Sequence, residues 1–476
     1  MFKWKEYYFL YIFILLASVA FVFWFFYNPV KDITENVPGL DNRPAKGLSN
    51  EDSIIIGEKF KEYISSFETL LTGKWPRFRG ADIDNINKEK IKLIDKWGAS
   101  GPKTLWKVEL GDGHAAPAVY NGRVYVLDYD ERKKNDVLRC FSLESGAEIW
   151  RRWYTVNLKR NHGMSRTIPA VTDKYIVTMG PRCQVMCCNP VTGDMLWGLD
   201  LTKEFKTEVP LWYTGQCPLI DNDIAVIAPG GTSLMVGIDC ATGKVVWQTL
   251  NTDDLKMSHS SVIPMTIQGK KMYVYNAIGA LCGISAEGAD LGKLLWKTKV
   301  FNPSVIAPSP LFVGQNKIFM TAGYGAGAII IQVNRDGDNF SVKTVLSYKP
   351  SEGMASEQQT PILYNGYVYN IQPKDASATR NQFVCCRPDN FKNILWTSST
   401  TERFGLGPYI LADGKFFILS DEGELTIAKL STTKFEVLDK AKIIEGHDAW
   451  GPLAIADGRL LMRDSKQMVC LDIQAK

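Results

Sequence analysis

A unit of two short alternating strands recurs along the sequence after residue 104. Each copy opens with a proline, continues with apolar residues at every second position, turns, and repeats that alternation in a second strand. Tight turns such as Asn121-Gly122 and Asp413-Gly414 separate the two strands, as in β-hairpins. A period of 40 to 50 residues with several strands per unit predicts the blades of a β-propeller. The opening prolines are 44 to 52 residues apart and number eight: Pro117, Pro169, Pro218, Pro264, Pro310, Pro361, Pro408 and Pro452.

Each unit then closes with a second hairpin whose last strand carries a tryptophan in most copies. Clear examples run from Cys140 to Trp150, from Cys187 to Trp197 and from Gly237 to Trp247, each with a glycine in the turn. A tryptophan at this position covers apolar surface between neighbouring blades, because its ring buries a large area. The residues predicted to dock in this way are Trp106, Trp150, Trp197, Trp247, Trp296 and Trp396.

The two ends of the repeat region complement each other. The segment Thr104 to Leu110 resembles an outermost strand with its tryptophan, yet no blade precedes it, whereas the last unit, from Pro452 to Lys476, lacks such a strand. The N-terminal strand therefore completes the last blade and leaves no open edge in the ring. We predict an all-β, eight-bladed β-propeller of four-stranded blades with this clasp; seven blades would require the divergent unit at Pro310 to be spurious. Deletion of residues 1–100 is expected to leave a folded domain.

A long uncharged stretch precedes the repeats. Tyr7 to Tyr27 carries no charge, and Lys3 and Lys5 come before it. About 20 apolar residues span a bilayer, and basic residues favour the cytoplasmic side. The stretch predicts a transmembrane signal-anchor helix at 7–27 with a cytoplasmic N-terminus at 1–6. This interpretation places the protein in the bacterial inner membrane as a single-pass protein, with the propeller facing the periplasm or cell exterior. The alternative is a cleaved signal peptide.

Residues 28–74 predict a linker followed by an amphipathic helix, and residues 75–476 the propeller. Pro and Gly dominate the first part of this connection. From Ser49 to Leu71, apolar residues recur at helical spacing, which predicts a short helical stalk before the ring. Its apolar stripe packs on the propeller or forms a partner or dimer surface.

Composition and motif searches exclude several function classes. Lys+Arg 55 against Asp+Glu 51 gives a net charge of +4 with no dense basic run, so no nucleic-acid partner is predicted. The sequence contains no H-E-x-x-H, P-loop or G-x-S-x-G motif, and we assign no catalytic and no metal-binding residue.

The repeats resemble the pyrroloquinoline-quinone-like β-propeller family, whose docking motif reads A-x-D-x-x-T-G-x-x-x-W. The lead-in Trp75-Pro76-Arg77-Phe78-Arg79-Gly80 is similar to the W-P-x-F-R-G opening of a bacterial class in that family. Related members are the quinoprotein alcohol dehydrogenases and the propeller lipoprotein of the outer-membrane barrel assembly machine. The resemblance implies the fold, and it leaves open pyrroloquinoline quinone with calcium as cofactors.

Two cysteine pairs bear on that cofactor. The resemblance implies that quinoprotein dehydrogenases carry a vicinal disulfide, and Cys187-Cys188 and Cys385-Cys386 are adjacent. However, Cys140, Cys187 and Cys386 each stand ten residues before a docking tryptophan, in the motif's alanine position. A free cysteine fits such a small apolar position. We therefore favour buried thiols and no cofactor, with the quinone enzyme as the alternative.

Long loops before the blade-opening prolines hold the candidate binding residues. In a propeller these loops emerge on one face around the channel mouth, so their side chains should surround one funnel. Loops also hold polar and aromatic residues without any function, and a histidine metal site is a further alternative. The leading hypothesis is a membrane-tethered, non-enzymatic scaffold that binds a ligand, protein or peptide; the alternatives are a quinone-dependent alcohol or sugar dehydrogenase and an extracytoplasmic sensor. The candidates are His114, His162, Arg166, Trp212, Tyr213, His259, Gln358, His447 and Trp450.

Overall fold

The computed structural model describes residues 4–27, 54–63, 67–446 and 448–475 and divides the protein into two units, Met1–Ser53 and Ile54–Lys476. The first unit contains helix α1 (Trp4–Phe26). Tyr and Trp, whose rings carry polar groups, interrupt its apolar residues. Within the described residues, no helix combines the length and the apolar character that a bilayer crossing requires. The prediction of a single-pass inner-membrane anchor is therefore wrong.

Four short strands precede the blades in the second unit. They are β1 (Lys59–Glu62), β2 (Lys74–Trp75), β3 (Ile86–Asn87) and β4 (Lys103–Glu109). Each pairs with a strand of a blade that comes later in the sequence, so this segment is built into the ring.

The remaining strands form blades in sequence order, as predicted. Blade 1 contains β5 (Ala118–Tyr120), β6 (Arg123–Asp130), β7 (Asn135–Ser142) and β8 (Glu148–Thr155); blade 2, β9 (Ala170–Val171), β10 (Ile176–Met179), β11 (Gln184–Cys188) and β12 (Met195–Asp200); blade 3, β13 (Leu219–Asp221), β14 (Ile224–Ile227), β15 (Ser233–Asp239) and β16 (Val245–Leu250); blade 4, β17 (Ile263–Ile267), β18 (Lys270–Ala277), β19 (Ala280–Ser285) and β20 (Leu294–Thr298).

The second half of the ring follows the same order. Blade 5 contains β21 (Leu311–Phe312), β22 (Lys317–Ala322), β23 (Gly327–Asp336) and β24 (Asn339–Tyr348); blade 6, β25 (Ile362–Tyr364), β26 (Tyr367–Ile371), β27 (Phe383–Arg387) and β28 (Asn390–Thr397); blade 7, β29 (Tyr409–Ala412), β30 (Lys415–Leu419), β31 (Glu424–Lys429) and β32 (Val437–Lys442); blade 8, β33 (Ala454–Ala456), β34 (Arg459–Arg463) and β35 (Gln467–Asp472), completed by β4. A short helix α2 (Leu201–Glu204) and 3₁₀ turns at Gly288–Asp290, Pro350–Glu352 and Ser377–Thr379 lie in the connections.

This arrangement confirms an all-β ring of eight four-stranded blades. The divergent unit at Pro310 forms blade 5, which excludes the seven-bladed alternative. Strand β4 pairs with β35 and brings Trp106 opposite Cys470, in the register that Trp150 and Cys140 have in blade 1. The clasp predicted from the two ends of the repeat region is therefore present.

The docking tryptophans lie against the glycine turns of the next blade. The indole N–H of Trp106 donates to the carbonyl of Leu143 at 2.9 Å. A Cβ at Gly146 would lie 2.7 Å from the Trp106 ring, and this glycine has φ of +72°. Glycine is therefore required there by both space and backbone conformation. Trp150 and Trp197 make the same contacts with Gly193 and Gly243.

The predicted helical stalk is absent from the described residues of its range. Instead, β1 pairs with the outer strand β8 of blade 1, with Phe60 beside Trp150 at a ring-centroid distance of 6.4 Å. The outer strand of a blade has open backbone hydrogen-bonding groups, which a strand can satisfy and a helix cannot. The apolar residues Ile56 and Phe67 do pack on the propeller core, although not from a helix.

Residues 74–87, here called the channel segment, enter the ring along its axis. Strand β2 pairs with the inner strand β5 of blade 1, and β3 pairs in parallel with the inner strand β29 of blade 7. Between them, the Val171 amide of blade 2 donates to the carbonyl of Pro76 at 2.8 Å. Inner strands surround the central channel of a propeller, so this segment lies within the channel.

Polar side chains of the channel segment extend these contacts to further blades. Arg77 donates to the carbonyl of Ile220 in blade 3 at 3.0 Å. Arg79, which is 5% exposed, donates to the carbonyls of Thr360 and Pro361 at the start of blade 6. The side-chain amide of Asn87, the last residue of the segment, donates to the carbonyl of Ile455 in the inner strand of blade 8 at 2.8 Å. The segment therefore contacts six of the eight blades, and the W-P-R-F-R-G motif is a channel-filling element.

Candidate functional site

Seven of the nine predicted mouth residues line one cavity of about 410 Å³. They come from loops that join the outer strand of one blade to the inner strand of the next, which is why they share a face. The seven are His114, His162, Arg166, Trp212, His259, Gln358 and Trp450.

The other two predicted residues have different positions. Tyr213 follows Trp212 but does not line the cavity; its hydroxyl donates to the carbonyl of Lys159 at 2.7 Å. It therefore holds the neighbouring loop. His447 lies outside the described residues.

Trp212 is the centre of an aromatic wall. Its ring stacks on His259 at 6.2 Å and on Tyr324 at 6.0 Å, and it meets the edge of His162 at 6.0 Å. These centroid distances are within the range of favourable aromatic contacts. The wall therefore offers a flat apolar surface to a ligand.

The loops that form this wall contain strained backbone positions. Trp212, Tyr213 and Tyr324 have φ values of 64°, 71° and 56°, and His162 has φ of 43°. Bulky side chains rarely adopt this left-handed region, and each instance costs about 1–3 kcal/mol. Such strain is typical of loops that are held in position for binding rather than for stability.

Two histidines of the cavity are kept neutral. Burial, and secondarily Arg166 and Arg463, lowers the pKa of His114 to about 3. Burial, and secondarily Arg166, lowers the pKa of His259 to about 4. The His114 ring packs against Trp450 at a centroid distance of 4.8 Å. Near neutral pH, both imidazoles act as uncharged ring surfaces.

The charged groups of the cavity are Arg166, Lys374 and Glu357. Lys374 pairs with Glu357 at 3.3 Å and also lies 5.1 Å from the centre of the Tyr324 ring. Burial lowers the pKa of Arg166 to about 10, which leaves it cationic at neutral pH. Because Lys374 and Glu357 offset each other, the cavity carries the positive charge of Arg166.

Several buried polar atoms of the cavity residues have no hydrogen-bond partner among the described residues. They are His114 Nδ1, Arg166 Nε, Glu357 Oε2 and Trp450 Nε1. Buried polar groups are nearly always paired in folded proteins, and each exception requires an explanation. Four such atoms in residues that line one cavity leave hydrogen-bonding capacity unsatisfied close to it.

Phe78, Tyr324, Glu357 and Lys374 are among the cavity residues that sequence reasoning missed. Tyr324 and Lys374 lie between the second and third strands of blades 5 and 6. In an antiparallel blade that connection emerges on the same face as the blade-to-blade loops, so topology could have identified both. Phe78 belongs to the channel segment, and no repeat or spacing indicated that this segment enters the channel.

The cysteine pairs do not fit a quinone site. Cys187 and Cys188 are consecutive in β11 and are buried in different core clusters, as are Cys385 and Cys386 in β27. Neighbouring residues of a strand point to opposite faces. All ten cysteines are free. The predicted alanine position needs one correction: Cys385, not Cys386, lies opposite Trp396, because bulges lengthen that hairpin.

The described residues also do not fit the metal that such a cofactor requires. No three His, Cys, Asp or Glu side chains in the described ranges group closely enough to hold a metal ion. His114, His162 and His259 therefore form no metal centre with the other described residues, and the histidine metal alternative gains no support. The chemistry that the described residues offer at the mouth is recognition by ring surfaces, one cation and unpaired hydrogen-bonding groups.

Solved structures with the same fold include a BamB protein and two dehydrogenases. BamB from Moraxella catarrhalis aligns at 12% identity and a TM-score of 0.52 over 78% of this protein and 99% of that one. A europium-containing methanol dehydrogenase aligns at 12% identity and 0.56 over 83% and 89%. The quinohemoprotein alcohol dehydrogenase from Comamonas testosteroni aligns at 12% identity and 0.55 over 85% and 81%. At this identity the likeness shows the fold alone.

The sequence itself gives the family. No curated protein sequence matches this one. A family model described as outer membrane protein assembly factor BamB matches residues 133–390, which is more than half of the sequence. This protein belongs to the BamB family of pyrroloquinoline-quinone-like β-propellers.

Proposed function

We propose that this propeller is a non-enzymatic scaffold that binds an extended peptide of a protein partner in the mouth cavity. The observation that carries the proposal is the Trp212 wall, because strained loops from separate blades bring its rings together. A cavity of about 410 Å³ is within the size range of ligand sites and is too small for a folded domain.

The composition of the cavity supports recognition rather than catalysis. Its walls are mainly apolar and aromatic, with a few polar groups that lack partners, which is the usual composition of a binding site. Its floor includes Phe78 of the channel segment, so a ligand enters from the mouth. The name of the family, an outer membrane protein assembly factor, is consistent with a protein partner.

The test is selection of a random peptide library on the full-length protein, with counter-selection on the variant Trp212→Gly. Glycine suits the positive φ at this position, so the variant removes the ring without adding backbone strain. We expect enriched peptides whose affinity falls at least tenfold on Trp212→Gly, measured by fluorescence anisotropy.

The matched control is Tyr63→Ala, an exposed aromatic residue beyond the outer edge of blade 1. Its removal should leave the affinity of the same peptides unchanged. If no enriched peptide depends on Trp212, or if both variants weaken binding equally, the mouth is not the binding site and the proposal fails.

The second candidate is a pyrroloquinoline-quinone-dependent oxidoreductase, which the two dehydrogenases of the same fold keep open. The positions of the cysteine pairs and the lack of a grouped ligand set in the described residues argue against it. Incubation of the full-length protein with the quinone and calcium tests this candidate. One equivalent of bound quinone, with alcohol-dependent dye reduction, would favour the enzyme over the scaffold.

A further inference from the structure

We infer that the mouth cavity recognises a carboxylate through Arg166, with an adjacent apolar or aromatic group of the ligand against Trp212 and Tyr324. This inference deepens the proposed binding function, on which it rests, by naming the chemistry of the ligand. It depends on the geometry of Arg166, on the ion pairs that the nearby acids already form, and on the shape of the aromatic wall.

Arg166 is held in place but is not neutralised. Its Nη2 donates to the carbonyls of His162 and Asn161, in the same loop, which fixes the orientation of the guanidinium. Its Nε is buried without a partner. No carboxylate of the described residues lies within ion-pair distance of this side chain, although its neighbours Arg160 and Lys374 each have one.

The acids near Arg166 are already engaged. Asp112 pairs with Arg160 at 3.1 Å, and Glu357 pairs with Lys374 at 3.3 Å. A buried cation without a counter-ion is unfavourable, because it has lost its water and gained no compensating charge. A ligand carboxylate supplies that missing partner, and the planar guanidinium suits it geometrically.

The same charges favour a single negative charge over a phosphate dianion. Of the cavity cations in the described residues, Arg166 alone lacks a carboxylate partner, and the Glu357 carboxylate also lines the cavity. A dianion would be repelled by that carboxylate and would find no second free cation among the described residues.

The apolar part of the ligand follows from the wall. Trp212 and Tyr324 stack at 28° to each other, and Tyr324 is 57% exposed, so a ring or an aliphatic group can cover both. Aromatic pairs add about 0.5–1.5 kcal/mol to the burial of their area. A carboxylate beside an apolar group is found at the carboxyl terminus of a polypeptide, in an acidic side chain next to an apolar residue, and in free aromatic acids.

The experiment titrates the full-length protein with matched small probes, followed by ligand-observed NMR. N-acetyl-phenylalanine represents the carboxyl terminus of a polypeptide, N-acetyl-phenylalanyl-aspartate α-amide, with its side-chain carboxylate free, an acidic side chain, and 3-phenylpropionate a free acid without an amide. N-acetyl-phenylalaninamide is the uncharged match to the first. We expect at least one acid to bind tenfold or more tightly than the amide, and the acid that binds best identifies the source.

Two variants locate the effect. Arg166→Gln should abolish the preference for acid over amide, whereas Arg132→Gln should retain it. Arg132 is an exposed arginine in the turn between β6 and β7, on the same face but outside the cavity, so it matches the change in net charge. The comparison of acid with amide on the unaltered protein remains valid even if Arg166→Gln folds poorly.

Equal binding of the acids and the amide, no binding of any probe, or a preference that survives Arg166→Gln would overturn the inference. The proposed peptide binding is tested independently of this inference. If peptides that depend on Trp212 are enriched from the library but show no dependence on a carboxylate, the mouth still binds peptides and only the role of Arg166 is wrong.

Discussion

Trp106 and Cys470 lie opposite each other in blade 8, although the first precedes all the blades and the second is in the last strand of the sequence. This pairing closes the ring, and Trp106 also reaches the carbonyl of Leu143 in blade 1. One side chain therefore joins the last blade to the first.

We expect Trp106→Ala to destabilise the ring by about 3–5 kcal/mol, because it removes a buried aromatic side chain at the closure. Chemical unfolding of the purified protein measures this change. Lys107→Ala, one residue along and exposed, should change the unfolding free energy by no more than about 0.5 kcal/mol. Equal effects of the two substitutions would show that β4 is not a structural part of blade 8.

The second prediction concerns how much the channel segment contributes to the stability of the protein. Arg79→Met should destabilise the protein by about 3 kcal/mol or more, since the carbonyls of Thr360 and Pro361 lose their buried donor. Lys90→Met, an exposed change with the same loss of charge, should have little effect. Similar melting temperatures for both variants would contradict a stabilising role for the hydrogen bonds from Arg79 to blade 6.

The free thiols can be counted directly. We expect the full-length protein, unfolded without reductant, to show ten reactive thiols in a colorimetric titration. We also expect Cys187→Ala to cost no more than about 1–2 kcal/mol, because Gly237 occupies the same position opposite Trp247 in blade 3. Eight thiols, with the missing two mapped to Cys187 and Cys188, would instead show a vicinal disulfide.

A buried acid predicts a pH dependence of stability. Burial raises the pKa of Asp136 to about 7, even though the Tyr154 hydroxyl donates to it at 2.6 Å. The folded state therefore binds this proton more tightly than the unfolded state, so the stability that it contributes is present below about pH 4 and is lost as the pH rises to about 7.

The variant Asp136→Asn removes that titration and keeps an acceptor for Tyr154. Above pH 7 we expect it to be more stable than the unaltered protein, by at most about 4 kcal/mol. Urea unfolding at several pH values measures the difference, and the exposed Glu131→Gln in the same hairpin is the control. A difference that does not change between pH 4 and 7 would contradict the raised pKa.

The ring could be predicted because the same turn and tryptophan signals recur in the sequence of most blades. Turns such as Asn121-Gly122 fix the hairpins, and a tryptophan such as Trp150 marks each docking position. The mouth cluster followed from topology alone, since any loop before an inner strand must emerge there. His114 and Trp212 line the same cavity, although nothing in their local sequence indicates one.

The segment before the ring could not be predicted by the same reasoning. Residues 49–71 show apolar positions at helical spacing, but β1 takes the open edge of blade 1, so tertiary pairing overrides the local pattern. The channel segment has no repeat to compare with, and the contacts of Arg77 and Arg79 are long-range. The expectation that residues 1–100 could be deleted is accordingly revised: a truncation before Ile54 leaves this segment intact, and one at residue 100 removes it.

The channel segment also sets the order in which folding can finish. A ribosome releases residues 74–87 long before it releases Tyr409 and Ile455, whose carbonyls accept from Asn85 and Asn87. Early blades can pair locally as they emerge, because each hairpin joins strands close in sequence. The contacts with blades 7 and 8 must wait for those blades, so the C-terminal part of the channel segment, with Asn85 and Asn87, stays unpaired until they have been made.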